Sequence, residues 1–133
     1  MAKVLFVCEG NMMRSQMAEA FYNSLTDSNN ATSAGAAAET KDRISPRAIE
    51  VMNDIGYDVT NLRPKQLTEK MVDEAVRVIY FPSEYMPEYV KQSEKSELWD
   101  VIDPHYYKEQ GMELVRRVRD EIYRRVESLV QQS

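Results

Sequence analysis

Val4-Leu5-Phe6-Val7-Cys8-Glu9-Gly10-Asn11-Met12-Met13-Arg14-Ser15 changes character twice along its length. Val4 to Val7 is an unbroken apolar run, the pattern of a central parallel strand covered on both faces. From Ser15 the spacing turns helical. Met17, Ala18, Phe21, Tyr22 and Leu25 form one stripe, which predicts a helix from about Gln16 to Leu25. Between strand and helix lies a short loop with Cys8 at one end and Arg14 at the other. The free N–H groups and dipole of a helix start favour an anion in such a loop. Gly10 and Asn11 are residue types that tolerate positive φ, as a chain curling around an anion requires.

The same surroundings act on Cys8. A thiol facing N–H donors, a helix N-terminus and an arginine is in the environment that favours a thiolate. A thiolate can attack phosphorus or bind arsenic. Arg14 offers a planar fork for two oxyanion oxygens. Ser15 is placed to give the sulfur a hydrogen bond. The expected oxyanion loop is therefore Glu9, Gly10, Asn11, Met12, Met13 and Ser15, with Cys8 and Arg14 as reacting and clamping groups. The bland alternative is a buried core thiol and a solvated arginine.

The stretch from Val4 through Arg14-Ser15-Gln16-Met17-Ala18-Glu19-Ala20 resembles the signature of the low-molecular-weight protein tyrosine phosphatase superfamily. That superfamily includes the thioredoxin-coupled arsenate reductases. Gln16 resembles the reductase branch, because phosphatases usually carry proline there. The likeness extends through Ser33-Ala34-Gly35, Ala48 to Gly56, Asp103-Pro104 and the last helix. It implies a four-stranded parallel sheet with helices on both faces. It also implies that Ser33 braces Asn11, whereas residue type alone leaves Ser33 equally suited to capping local backbone. In phosphatases of this kind an aromatic residue from the loop after the second strand lines the tyrosine slot. Here that loop reads Ala36-Ala37-Ala38-Glu39-Thr40, which weakens the case for phosphotyrosine.

At 133 residues the chain is read as one domain, residues 1–133. Its net charge of −5 argues against generic nucleic-acid binding. No apolar stretch approaches the roughly 20 residues needed to span a bilayer, and no signal peptide is evident. A cytoplasmic protein without membrane attachment is the expectation. One cysteine excludes an internal disulfide, and one histidine, His105, speaks against a histidine metal site. Neither a metal nor another cofactor is expected.

The remaining elements follow in order. Ala31–Gly35 is the second strand, and Ala36 to Ile44 is expected on the surface. Ser45-Pro46 starts a helix with Ser45 as cap, a buried stripe of Ala48, Val51, Met52 and Ile55, and Gly56 as stop. Tyr57 to Val59 is a short extended piece, and Arg63 and Lys65 are cations that either add positive potential near the site or are merely solvated. Thr68 caps a short helix to Ala75, Val76–Phe81 is the third strand, and Pro82 ends it. Ser83 to Gln92 is helical or forms a wall over the site. Leu98–Ile102 is the last strand. Asp103 follows at its carboxyl end, the face where α/β ligands bind, so it can meet Cys8 across the cleft. Met112, Val115, Val118, Ile122, Val126 and Leu129 mark the final helix, with Arg116, Arg117, Arg119, Arg124 and Arg125 read as its solvated face.

Three functions fit this reading. In the first, Cys8 attacks a phosphomonoester, Arg14 and the loop hold its oxygens, and Asp103 protonates the leaving oxygen and then activates water. In the second, the loop takes arsenate. Thioredoxin-coupled reductases use two further cysteines, and the corresponding segment here offers Phe81, Pro82 and Met86, so an external thiol or redoxin is required. In the third, a phosphorylated partner is held without turnover. Glu9 favours that reading, because a carboxylate beside a dianion repels it unless it points away or is paired.

Overall fold

A computed structural model of the protein describes residues 3–132. Four parallel strands form its sheet in the order β2-β1-β3-β4: β1 Val4–Cys8, β2 Ala31–Gly35, β3 Arg77–Tyr80 and β4 Ser96–Leu98. The helices are α1 Arg14–Thr26, α2 Pro46–Asn53, α3 Glu69–Glu74, α4 Glu88–Lys91 and α5 Gly111–Gln131. Among the described residues no helix is long and apolar enough to cross a membrane.

β1 is buried along its whole length, as its apolar run predicts. Alternation splits its side chains between two cores. Val4, Phe6 and Cys8 join Met17, Phe21, Val51, Ile122 and Val126 beneath α1, α2 and α5. Leu5 and Val7 join Val72, Val78 and Val90 beneath α3 and α4. The sheet is thus sandwiched, and the carboxyl end of β1 delivers Cys8 to the rim on the α1 side.

Several sequence expectations need correction. β4 ends at Leu98 instead of running to Ile102. Trp99 N–H still donates to Tyr80 O at 2.9 Å, but Val101 N–H then bends back to Trp99 O at 2.8 Å. That three-residue turn breaks the ladder and swings Asp103 toward β1. The Ala36 to Ile44 segment is not all surface, since Ala38 and Ile44 are buried. Leu25 and Ile55 drop out of their stripes and are exposed. Ser45 makes no side-chain cap bond, although Pro46 does occupy the first helical turn. Thr68 does cap α3, accepting from Met71 N–H. Only Glu88–Lys91 of the Ser83 to Gln92 segment is helical.

Arg119 is the largest misreading of the last helix. It is 8% exposed, not solvated. Its Nη1 donates to Val51 O at 2.9 Å, and its Nε to Asp120 Oδ1 at 2.8 Å. The last carbonyls of a helix lack partners within that helix, and an arginine from a packed neighbour supplies one for α2.

Gly35 is fixed by close approach. It lies opposite Cys8 in the register, and a Cβ there would sit 2.8 Å from Asn11 N, Glu9 O and Ala38 Cβ. Gly35→Ala is expected to cost about 1–3 kcal/mol, because backbone cannot yield as a flexible side chain does. Gly10→Ala meets only Met12 and Lys41 side-chain atoms at 3.7 Å or more and is expected to change stability little. Chemical denaturation of the two variants checks the contrast.

Candidate active site

The loop between β1 and α1 turns at Asn11, whose φ is +54°. Gly10, the other residue read as suited to positive φ, does not use it. Asparagine tolerates the left-handed region better than most side chains. Here its amide is also held from several sides. Asn11 Oδ1 accepts from Gln16 Nε2 at 3.0 Å and from the Lys65 N–H at 2.9 Å. Asn11 Nδ2 donates to Ser15 Oγ at 2.7 Å. Ser15 Oγ lies 2.9 Å from Cys8 Sγ, and the Asn11 N–H donates to the same sulfur at 3.3 Å.

Ser33 does not brace Asn11. Its hydroxyl donates to Glu19 Oε1 at 2.7 Å, and the segment around residue 65 takes the bracing place. Arg63 is exposed and Lys65 partly so, in line with the solvated alternative. Arg63 offers its backbone carbonyl to Gln16 Nε2, while its guanidinium returns to Thr60 O and Leu62 O. Lys65 Nζ stands 3.9 Å from Glu19.

Arg14 is 2% exposed. Its Nη1 donates to Val101 O at 3.0 Å, and its Nη2 to Pro82 O at 3.1 Å and Asp103 Oδ2 at 3.2 Å. The guanidinium also lies 5.4 Å from the centre of the Phe81 ring. One side chain thus joins the loop to the segments leaving β3 and β4. Asp103 additionally caps a 3-10 turn, Pro104–Tyr106, by accepting from His105 N–H at 3.0 Å.

Cys8, Arg14 and Asp103 line one cavity of about 160 Å³, together with Glu9, Gly10, Met12, Met13, Lys41 and His105. Cys8 is a free, buried thiol there. A cavity this small suits a tetrahedral oxyanion. Lys41 adds a cation that sequence reading missed, because a lone lysine in a polar loop carries no signal.

Beside it opens a groove of about 950 Å³ that shares Glu9 and Asp103. Pro82, Ser83, Glu84, Tyr85, Asp100, Ile102, Tyr106 and Tyr107 complete its walls. Glu9 forms the divide. Its carboxylate accepts from Ser83 Oγ at 2.9 Å and from the Tyr106 hydroxyl, so it is turned aside and paired with neutral donors. This answers the repulsion expected of a carboxylate next to a bound dianion.

The bond to Glu9 comes first among the causes that push the Tyr106 hydroxyl from 10.0 up to about 12. The neutral phenol is the donor. Its contribution to folding is therefore complete below the unfolded value of 10.0 and is lost as pH rises through about 12. Ultraviolet titration of Tyr106→Phe is expected to lack a phenolate component near 12 that the parent protein shows, and Glu9→Gln should move that component down. A parent protein without that late component would contradict the clasp.

A cysteine and an arginine bracketing an oxyanion loop on a parallel α/β sheet define a cysteine-based phosphate-loop protein. The chain belongs to the low molecular weight phosphotyrosine protein phosphatase family, whose model matches residues 3–133. It is 35% identical to the glutaredoxin arsenate reductase of Synechocystis, over 98% of this chain and 97% of that one. Among solved structures it resembles the low molecular weight protein tyrosine phosphatase from T. tengcongensis, with a TM-score of 0.83 and 25% identity over all of both chains. It also resembles an arsenate reductase in the phosphate-binding state, with a TM-score of 0.79, 32% identity, and coverage of 99% of this chain and 98% of that one.

Proposed function

We propose that this chain is a cysteine-dependent phosphomonoester hydrolase, acting as one catalytic domain through a phosphocysteine intermediate. The observation that carries this reading is the shared small cavity of Cys8, Arg14 and Asp103. Cys8 Sγ attacks phosphorus as the bond to the leaving oxygen breaks. Loop N–H groups and Arg14 hold the equatorial oxygens. An oxyanion that engages Arg14 competes with the 3.2 Å contact to Asp103 and frees that residue to deliver a proton to the leaving oxygen. Asp103 then takes a proton from water as water attacks the phosphocysteine, and the sulfur departs as thiolate.

The neighbouring groove supports an organic substrate over a bare oxyanion, which needs only the smaller cavity. Its tyrosines offer flat surfaces to a leaving group. Glu9, Glu84, Asp100 and Asp103 line it, and among the described residues no lysine, arginine or histidine does. A phosphorylated group on a peptide with cationic flanks is therefore expected to turn over faster than one with acidic flanks. Matched phosphopeptides assayed at low and high salt check this, and a preference for acidic flanks would contradict it. A reduced Cys8 suits a reducing compartment, which is why we favour the cytoplasm.

Arsenate reduction is the second reading, favoured by the relationship to the Synechocystis reductase and by a cavity of oxyanion size. The chain's single cysteine then makes an external thiol or redoxin obligatory.

One comparison tests the choice. Asp103→Asn is expected to slow hydrolysis of phenyl phosphate about 100-fold, and of p-nitrophenyl phosphate by less than about 10-fold. The second leaving group needs little protonation. Equal losses on both substrates would deny Asp103 the acid role. Arsenite release that needs added thiol, without phosphatase activity, would favour the reductase. Phosphate binding with neither activity would favour a binding module.

A further inference from the structure

Lys41 belongs to the loop that follows β2, and it lines the oxyanion cavity beside Gly10 and Met12. Its Cε would stand 3.9 Å from a Cβ on Gly10, so the side chain lies against the oxyanion loop. Backbone bonds fix that placement. The Ala36 and Ala37 N–H groups donate to Cys8 O at 2.9 Å and to Glu9 O at 2.8 Å, and the Ser45 N–H donates to Met12 O at 3.1 Å. The segment is thus pinned at both ends to carbonyls of the oxyanion loop itself. Gln66 adds a clamp: its Oε1 accepts from the Ala38 N–H at 2.7 Å, and its Nε2 donates to Ala36 O at 3.0 Å. The Lys41 N–H donates to Ala38 O at 2.9 Å and closes the turn that presents its side chain.

The other charged or titratable side chains near the mouth are engaged within the protein. Arg14 donates to Asp103 Oδ2, and Glu9 accepts from Ser83 and Tyr106. The His105 ring packs edge-on against the Tyr106 ring, with centroids 5.0 Å apart. The Lys41 ammonium has no hydrogen bond or ion pair among the described residues. Of the lysine and arginine side chains on this wall, it is the one free to pair with an incoming anion. Past Glu9 the surface changes sign, with Glu84 and Asp100 in the neighbouring groove.

We infer that Lys41 is a substrate-binding residue that selects by charge: its ammonium closes over the oxyanion cavity and pairs with a phosphoryl oxygen, while the rest of the substrate runs past Glu9 into the acidic groove. A cation at the mouth draws in anions and leaves neutral molecules of the same size unassisted. The kinetic part of this inference rests on the hydrolase reading, while the binding part needs only an anion in the cavity.

The test uses Lys41→Gln, a change at an exposed position that keeps a long polar side chain and removes the charge. Because Cys8 is the one cysteine in the chain, alkylation reports on this cavity alone. Iodoacetate carries a carboxylate and iodoacetamide does not. In Lys41→Gln the iodoacetate rate is expected to fall about fivefold, and the iodoacetamide rate to stay within about twofold. The Kd of inorganic phosphate by calorimetry, and KM on an aryl phosphate, should each rise about fivefold while kcat stays within about twofold. Lys41→Arg keeps the charge and should hold every value within about twofold of the parent. Arg43→Gln removes the same charge from an exposed position in the same loop that does not line the cavity, and should change each value by less than about twofold. At about 1 M salt the parent and Lys41→Gln should converge. An unchanged ratio of the two alkylation rates, an unchanged phosphate affinity, or an equal effect from Arg43→Gln overturns the proposal. Alkylation and phosphate binding need no turnover. A protein that shows the charge selection but hydrolyses nothing therefore sinks the hydrolase reading and leaves this one standing, whereas hydrolysis with KM untouched by Lys41→Gln does the reverse.

Discussion

Cys8→Ser is expected to lower turnover of an aryl phosphate by at least about 10⁴-fold while leaving inorganic phosphate bound. Serine is close in size to cysteine and can keep the contacts to Ser15 and the Asn11 N–H. The loop, Arg14 and the small cavity therefore persist, and binding with them. What is lost is the nucleophile, because an alcohol at neutral pH is a far weaker one than a thiolate. Steady-state assays with calorimetry of phosphate binding check both halves. Residual turnover above about one part in a hundred would mean that the attacking group lies elsewhere.

Arg14→Lys is expected to cost about 10³-fold in kcat/KM together with about 2–3 kcal/mol of stability. The charge survives, but the fork does not. Arg14 reaches Val101 O, Pro82 O and Asp103 Oδ2 with two nitrogens. A single ammonium cannot meet these groups from one position, so a buried carbonyl loses its donor. Kinetics and chemical denaturation on the same preparation separate the effects. Activity within tenfold of the parent would remove Arg14 from the role assigned to it.

The β1 loop was legible because local chain chemistry dictates it. An apolar run, a residue that accepts a positive φ at Asn11 and a helical stripe lie in succession, so no distant contact is needed to read them. The four-stranded parallel sheet is what the resemblance carried by the loop and its flanks implied. What escaped reading depends on chain reversals. Lys65 N–H reaches Asn11 from 54 residues away, and Tyr106 reaches Glu9 from 97 away. Nothing in the residue types Lys65 or Lys41 announces such neighbours. The Ser33 pairing failed for the same reason, since Glu19 on α1 offers its hydroxyl a nearer acceptor. Arg119 shows a further limit: helical periodicity marks the apolar face, but not which charged residue at its edge will be drawn beneath a neighbouring helix.

The solitary thiol has one more consequence. Peroxide that converts Cys8 to a sulfenic acid leaves it with no second thiol in the chain to condense with. Protection from the one-way step to sulfinic acid then falls to thiols arriving from solution. The protein's working life under oxidative stress is thus set by its surroundings.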